Sequence, residues 1–151
     1  MACFKKSLSQ AMAAFMHVAA RCPFMSSQSA GRRNVTVNIR KIHFFRQHIP
    51  SFECIPGCHD CCGPVTTSSE EMFELPHVSD AAHEAALLTL SCPHLGDHGC
   101  AVYRERPIIC RLFGTTERLP CPHGRRPAQM IDRMIDLQIQ DFFLGSRQVL
   151  V

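Results

Sequence analysis

The sequence predicts a small, mainly α domain in which short helices and irregular loops pack around a cysteine metal centre, with room for a short N-terminal strand. Three observations predict it. Eight of the ten cysteines fall between Phe52 and Cys121. The segments around them carry helix caps and helical apolar spacing, cut short by glycine and proline. At 151 residues, 46% of them hydrophobic, the chain has material for one core.

Spacing points the cysteines toward metal. Cys54-x3-Cys58-x2-Cys61-Cys62 puts four thiols within nine residues. A turn at Ile55-Pro56-Gly57 can bring Cys54 and Cys58 round one ion, with Cys61 a short turn further on. Close first ligands suit tetrahedral thiolate coordination, because a short loop closes at little entropic cost. Adjacent side chains diverge, so one of Cys61 and Cys62 faces the first ion, while the other reaches a second ion, bridges, or sits in the core. Cys92, Cys100, Cys110 and Cys121 follow at wider intervals and close the site from distant loops. Four disulfides are the competing reading, as in small secreted scaffolds. No convincing secretion signal accompanies them, and a Cys-Cys pair beside CxxC spacing is unusual for bridges alone. Ligand softness admits zinc, iron–sulfur or copper(I).

The rest of the chain divides by charge. Residues 1–52 hold eight Lys or Arg and no acid, whereas residues 53–151 carry a net charge of −5. The basic character belongs to an N-terminal arm, residues 1–33, and the metal-binding domain is residues 34–151. Phe4, Leu8, Met12, Phe15 and Ala19 share one helical face in the arm. Ser26 to Arg33 reads as a flexible linker. An acid-free amphipathic start fits an organellar transit peptide better than a secretory signal; a start at Met25, or a plainly disordered arm, is the equal alternative. Cys3 and Cys22 lie in the arm and are left out of the site. Val35, Val37 and Ile39 alternate with polar residues, a short strand pattern. Arg40, Lys41 and Arg46 interleave with Phe44 and Phe45, but an acidic domain argues against a phosphate-tracking surface.

Beyond Cys62 the helices follow. Ser68 opens a capping box with Glu71, so a helix runs from Ser69 to Leu75, with Met72 and Leu75 inward. Glu70, Glu71 and Glu74 read as helix-dipole residues rather than ligands. Asp80 caps a helix over Ala81–Leu90, with Ala82, Ala86, Leu87 and Leu90 inward. A short buried helix spans Ile108 to Phe113, ended by Gly114. A last helix, Ala128–Leu144, presents Met130, Ile131, Met134, Ile135, Ile139 and Phe142 as a wide apolar face, with Gly145 at C′. His59, His94, His98 and His123 stand next to cysteines and could supply nitrogen to zinc. Eight thiols already suffice for two four-ligand sites, so the histidines read as outer hydrogen-bond donors or loop residues.

FECIPGCHDCCGPV (Phe52 to Val65), CPHLGDHGCAVYRERPIICRLFG (Cys92 to Gly114) and CPHG (Cys121 to Gly124) resemble the YkgJ-type cysteine-cluster family, known by its CxxCxxCC motif and described as a zinc- or iron-chelating domain. The resemblance covers about residues 42–145. This chain carries one extra residue between Cys54 and Cys58 relative to the motif's name. The resemblance implies that Cys54, Cys58, Cys61, Cys62, Cys92, Cys100, Cys110 and Cys121 are the ligands. Arg106 and Arg111 also match the family pattern; guanidinium groups there would offset thiolate charge and hydrogen-bond the sulfurs. A link to flagellin-lysine methylases, where a related cysteine cluster is associated with iron and sulfur, is implied as well.

Three functional classes follow. The first is a metal-binding protein that holds zinc or iron through eight cysteines in a structural or chelating role. The alternative is an iron–sulfur protein in electron transfer or in a methylase-like protein-modification system. An enzyme is the weakest of the three: Cys54-x3-Cys58-x2-Cys61 matches radical-SAM spacing, but the chain is too short for that barrel, and no glycine-rich phosphate loop is present. The expected partner is a metal ion, with an unnamed protein partner, no nucleic acid and no membrane span. A reducing, cytoplasmic setting is expected, with organellar targeting as the arm's alternative. Structural zinc contributes about 10–16 kcal/mol of apparent binding free energy in zinc-finger peptides. The metal-free domain is therefore expected to be partly unfolded. Circular dichroism before and after chelation checks this; an unchanged spectrum with the metal demonstrably gone would refute it.

Overall fold

The structure, a computed structural model, describes residues 27–151, with side chains from Val35 onward. The readings made of Met1 to Ser26, including the amphipathic arm, Cys3, Cys22 and a start at Met25, lie outside the described residues. In chain order the elements are α1 (Ser27–His48), β1 (Thr66–Ser68), α2 (Ser69–Met72), α3 (Asp80–Leu88), β2 (Leu95–Gly96), β3 (Gly99–Cys100), α4 (Ile108–Leu112), α5 (Arg133–Gly145) and β4 (Gln148–Leu150). Two antiparallel pairs accompany the helices. β1 pairs with β4, Thr66 opposite Leu150, and β2 pairs with β3, Leu95 opposite Cys100. The fold is thus mixed rather than mainly helical, and residues 34–151 make one compact unit.

The expected N-terminal strand is replaced by α1, 22 residues long. Ile42, Phe45 and Ile49 recur at i, i+3 and i+7 and are all buried. That helical period continues backward through the Val35–Ile39 stretch, so Val35 and Val37 end up about half exposed. β-branched residues cost a helix only a few tenths of a kcal/mol each, and tertiary burial of one face outweighs that. From Ser27 onward the linker reading of Ser26 to Arg33 gives way to helix, since α1 already starts at Ser27.

Two apolar clusters form the interior. In the first, Ile42 and Phe45 of α1 and Ile49 just beyond it meet Ile108 and Leu112 of α4 and Ile139 and Phe142 of α5. The Phe45 and Phe142 rings lie 5.7 Å apart, in the range of favourable tilted aromatic pairs. In the second, Leu75, Val102 and Val151 are buried, with Val65, Met72, Cys92 and Cys100 packed against them. The β1–β4 pair brings Val151 there, a closure that the sequence reading did not anticipate.

Capping decides the helix boundaries. Ser68 Oγ accepts from the Glu71 amide, as the capping box required, but α2 lasts only to Met72. α3 is capped by Ser79, whose Oγ accepts from Ala82 N, rather than by Asp80. It ends at Leu88; Ser91 N turns back to Ala86 O, and Leu90 takes a positive φ. Leu90 and Ala82, expected inside, are therefore exposed, whereas Ala86 is buried. α5 begins at Arg133 rather than Ala128, because Asp132 Oδ1 accepts from Met134 N and Ile135 N. Ile131 N is instead spent on Thr115 O at 3.0 Å. Met134, counted in the apolar face, is 60% exposed.

The layers meet at Glu71. Its side chain is fully buried. Oε2 accepts from Thr67 Oγ1 at 2.8 Å and Ser68 Oγ at 3.1 Å, and Oε1 accepts from Ile108 N at 2.8 Å. Arg46 of α1 reaches Oε1 at 3.3 Å and also pairs with Glu74. Removing one partner of a buried ion pair costs about 3–5 kcal/mol, because the other charge is left without a partner. Glu71→Ala is therefore expected to destabilise the protein by about 3–5 kcal/mol in urea titrations at equal metal loading. A midpoint matching wild type would show that the carboxylate is not a structural centre.

Candidate metal centre

Tight turns place the first four cysteines. Cys58 N donates to Ile55 O at 3.0 Å, with Pro56 and Gly57 at the corner and Gly57 at φ +74°. Proline followed by a positive-φ glycine is the preferred pair for a type II turn. Cys62 N then donates to His59 O at 2.7 Å, so a second turn follows directly. Cys92 precedes the β2–β3 hairpin, where Leu95 N donates to Cys92 O and the register sets Leu95 opposite Cys100. Cys110 sits within α4. Cys121 starts a turn closed by Gly124 N to Cys121 O at 2.9 Å.

Gly114 ties the outer ends of these loops together. Its φ is +78°, and a Cβ there would lie 2.6 Å from the Phe52 ring and 2.9 Å from Arg125 O. Only glycine accommodates both that backbone and that approach. Phe52 stands two residues before Cys54, and Arg125 four after Cys121. A second tie joins the same two loops: the His123 Nε2 to Asp60 Oδ2 distance is 2.6 Å.

All eight described cysteines are free thiols of intermediate burial. Their mutual electrostatics sort them. Burial raises the Cys54 thiol, and its charged neighbours are Cys58, Cys61 and Cys121. Burial pushes Cys110 up to about 12, with Cys92 and Cys100 adding to the rise and Arg106 opposing it. Burial also raises Cys92, whose thiol neighbour is Cys100. Cys62 is raised because it hydrogen-bonds Cys61 and is partly buried, with Cys61, Cys100 and Cys110 around it. Cys61 moves the other way, from 9.0 to about 6, chiefly because Cys62 hydrogen-bonds its thiolate, with Arg106 helping and Asp60 opposing. Cys58, Cys61 and Cys121 thus surround Cys54, and Cys92 and Cys100 surround Cys110, with Cys62 next to Cys61, Cys100 and Cys110. The Cys61–Cys62 hydrogen bond links the two sets.

The sulfurs are neighbours at longer range than a shared coordination sphere. Among the described residues, the set of three or more donor atoms within 4.8 Å of one another is Cys58, Asp60 and His123. Arg106 lies with its guanidinium carbon 3.9 Å from the Tyr103 ring centre. Its Nε is buried and without a hydrogen-bond partner. Its charge favours the thiolates of both Cys61 and Cys110. Arg111 is turned elsewhere: Nε donates to Arg106 O at 3.0 Å and Nη2 to Arg104 O. Arg111 thus braces the loop that carries Arg106. Of the histidines, His59 Nδ1 contacts Gly57 O at 3.2 Å, and His98 is exposed at the hairpin turn. His94 is buried, its pKa lowered by that burial and by His83, and its Nε2 has no partner.

Asp60 and Glu71 were missed as site residues. Asp60 had no spacing partner nearby, since His123 is 63 positions away. Glu71 was read as a dipole residue; its negative charge in fact lies close enough to Cys110 to raise that thiol.

A family model named CxxCxxCC and described as "Putative zinc- or iron-chelating domain" matches residues 53–134, more than half of the chain and all eight of these cysteines. The chain belongs to this family. No curated protein and no solved structure matches it. As a CxxCxxCC-family member it is a cysteine-rich protein of a metal-chelating class, and no described helix is long and apolar enough to cross a membrane.

The Cys61–Cys62 pair makes a titration prediction for the reduced, metal-free chain. A thiol whose pKa is lowered is charged above the lowered value, so Cys61 is a thiolate above about pH 6. Its alkylation by iodoacetamide, mapped by mass spectrometry, is expected to reach half its maximal rate near pH 6. Cys62→Ala removes the donor and returns Cys61 toward the ordinary thiol range, about 8.5. An ordinary titration of Cys61 with Cys62 in place would contradict the pairing.

Proposed function

We propose that residues 34–151 form a metal-binding domain that holds zinc or iron in two four-thiolate groups and acts as a chelating or structural module without catalysis of its own. One group is Cys54, Cys58, Cys61 and Cys121; the other is Cys62, Cys92, Cys100 and Cys110. The observation that carries this reading is that Cys58, Cys61 and Cys121 surround Cys54, whereas Cys92 and Cys100 surround Cys110 and Cys62 is next to Cys100 and Cys110. In this reading the adjacent pair serves both groups, Cys61 one ion and Cys62 the other.

The donor chemistry fits such an ion. Half-buried free thiols are soft ligands that select zinc, iron or copper(I) over hard cations. Raised thiols must release their protons to solvent when a metal binds, which makes affinity rise with pH. Two groups of four thiolates accumulate negative charge around divalent ions. Arg106, whose buried Nε is unpartnered beside both Cys61 and Cys110, is proposed to offset it and donate to sulfur. Arg111 acts by holding the Arg106 backbone.

Elemental analysis of full-length protein purified without oxygen is expected to give two metal ions per chain. Cys54→Ser with Cys121→Ser should remove one ion, and Cys92→Ser with Cys100→Ser the other. Zinc without colour would identify the ion; iron with acid-labile sulfide and a visible band would move the protein to an iron–sulfur role. A metal-free protein with paired thiols would overturn the reading, and loss of both ions from either double variant would overturn the division into groups.

A further inference from the structure

Asp60 and His123 reach each other from loops 63 residues apart, at 2.6 Å, with their side chains 52% and 40% exposed. An exposed ion pair of this kind contributes little to stability, about 0–1 kcal/mol. The third member of the constellation is more telling. Cys58 offers its sulfur within 4.8 Å of both a carboxylate oxygen of Asp60 and a ring nitrogen of His123. Sulfur, nitrogen and oxygen donors together suit zinc, and three protein ligands leave a fourth position for water. An open position is what distinguishes exchangeable zinc sites from closed structural ones.

We propose that Cys58, Asp60 and His123 form a loading station for zinc, in which an incoming ion is first captured at the surface and then passed to the group of Cys54, Cys58, Cys61 and Cys121. The inference rests on the reading of that group as a metal site. Cys58 is common to both sets, so the ion keeps one bond throughout. Asp60, His123 and the bound water leave as Cys54, Cys61 and Cys121 take their places. Each incoming sulfur binds as the thiolate, any proton it carried passing to water, and no electron moves. The geometry favours this order. Asp60 is one residue from Cys61 and His123 two from Cys121, so the departing ligands stand beside the arriving ones. Asp60 and His123 are exposed, whereas Cys58, Cys61 and Cys121 are half-buried.

Stopped-flow zinc uptake by reduced, metal-free, full-length protein tests the station, with zinc limiting and a chromophoric chelator reporting free ion. The comparison is wild type against Asp60→Asn with His123→Gln, two surface changes that keep the polarity of the pair. Loss of ligand-supporting groups weakens metal sites by about 10–100-fold, and capture should slow by the same order. The expected result is uptake slowed at least about tenfold with the final zinc content unchanged. A Cys54→Ser variant adds a spectroscopic arm with cobalt(II) as probe. Its first ion should stay on the station and show the weak charge-transfer band of few thiolates. Equal uptake rates in wild type and double variant would overturn the station while leaving the four-thiolate group intact. A permanent loss of one ion in the double variant would make Asp60 and His123 resident ligands and overturn it too. Wild-type protein that takes up no zinc would sink the metal reading itself, a distinct result.

Discussion

Four donors from three separate stretches of the chain converge on the Glu71 carboxylate, and nearly everything else is placed by that convergence. A carboxylate removed from water is tolerated only when its oxygens are fully engaged. Thr67 and Ser68 engage it from β1, the Ile108 amide from the start of α4, and Arg46 from α1. Because each donor must stay in hydrogen-bond range, these elements cannot move independently. The same requirement fixes where α4 begins, and with it the position of Cys110. It also anchors β1, whose pairing with β4 brings Val151 into the second apolar cluster, against which Cys92 and Cys100 pack.

The cysteine loops follow a different logic. Those of Cys54, Cys58 and Cys121 are held by turns and point ties, whereas Cys92 and Cys100 also pack against an apolar cluster. Gly57 and Gly124 take positive φ at the corners beside Cys58 and Cys121, and Gly114 lets Phe52 and Arg125 approach from either side. Backbone of this kind is open to solvent and offers few apolar contacts, which keeps the thiols reachable. The division of labour is physical. A buried charge network gives a frame with little tolerance for movement, and short loops hung on it present half-buried free thiols. The adjacent pair Cys61–Cys62 is the junction, where one thiol keeps its proton so that the other can lose it.

Helix starts were legible wherever a side chain signals locally, and misread wherever two local signals competed. Ser68 and Glu71 announced α2 correctly. Ser79 and Asp80 both resemble caps, and only the geometry of the Ala82 amide chose Ser79. Ala128 to Ile131 continue the helical period of α5, yet Asp132 captures the first amides and the preceding residues go to Thr115. The Val35–Ile39 alternation is a strand signal only in isolation. Ile42 and Phe45, buried further along the same helix, and Ile49 just past its end outweigh it. Leu90 shows the limit of periodicity in the other direction: its spacing suits the core, but the chain has already turned out of the helix.

The amino-acid sequence by itself determined the chemistry. Eight thiols in that spacing and mixture of residue types mark the family and a preference for soft metals, because ligand type and short-range spacing are written in the order of residues. Tertiary structure decided the partnerships. Which four thiols are neighbours, why Glu71 carries its charge in the interior, and that Asp60 meets His123 across 63 residues all depend on loops returning from a distance. No local pattern encodes such contacts. They arise when separate segments satisfy one buried charge or one turn together, a condition that exists only in the folded chain.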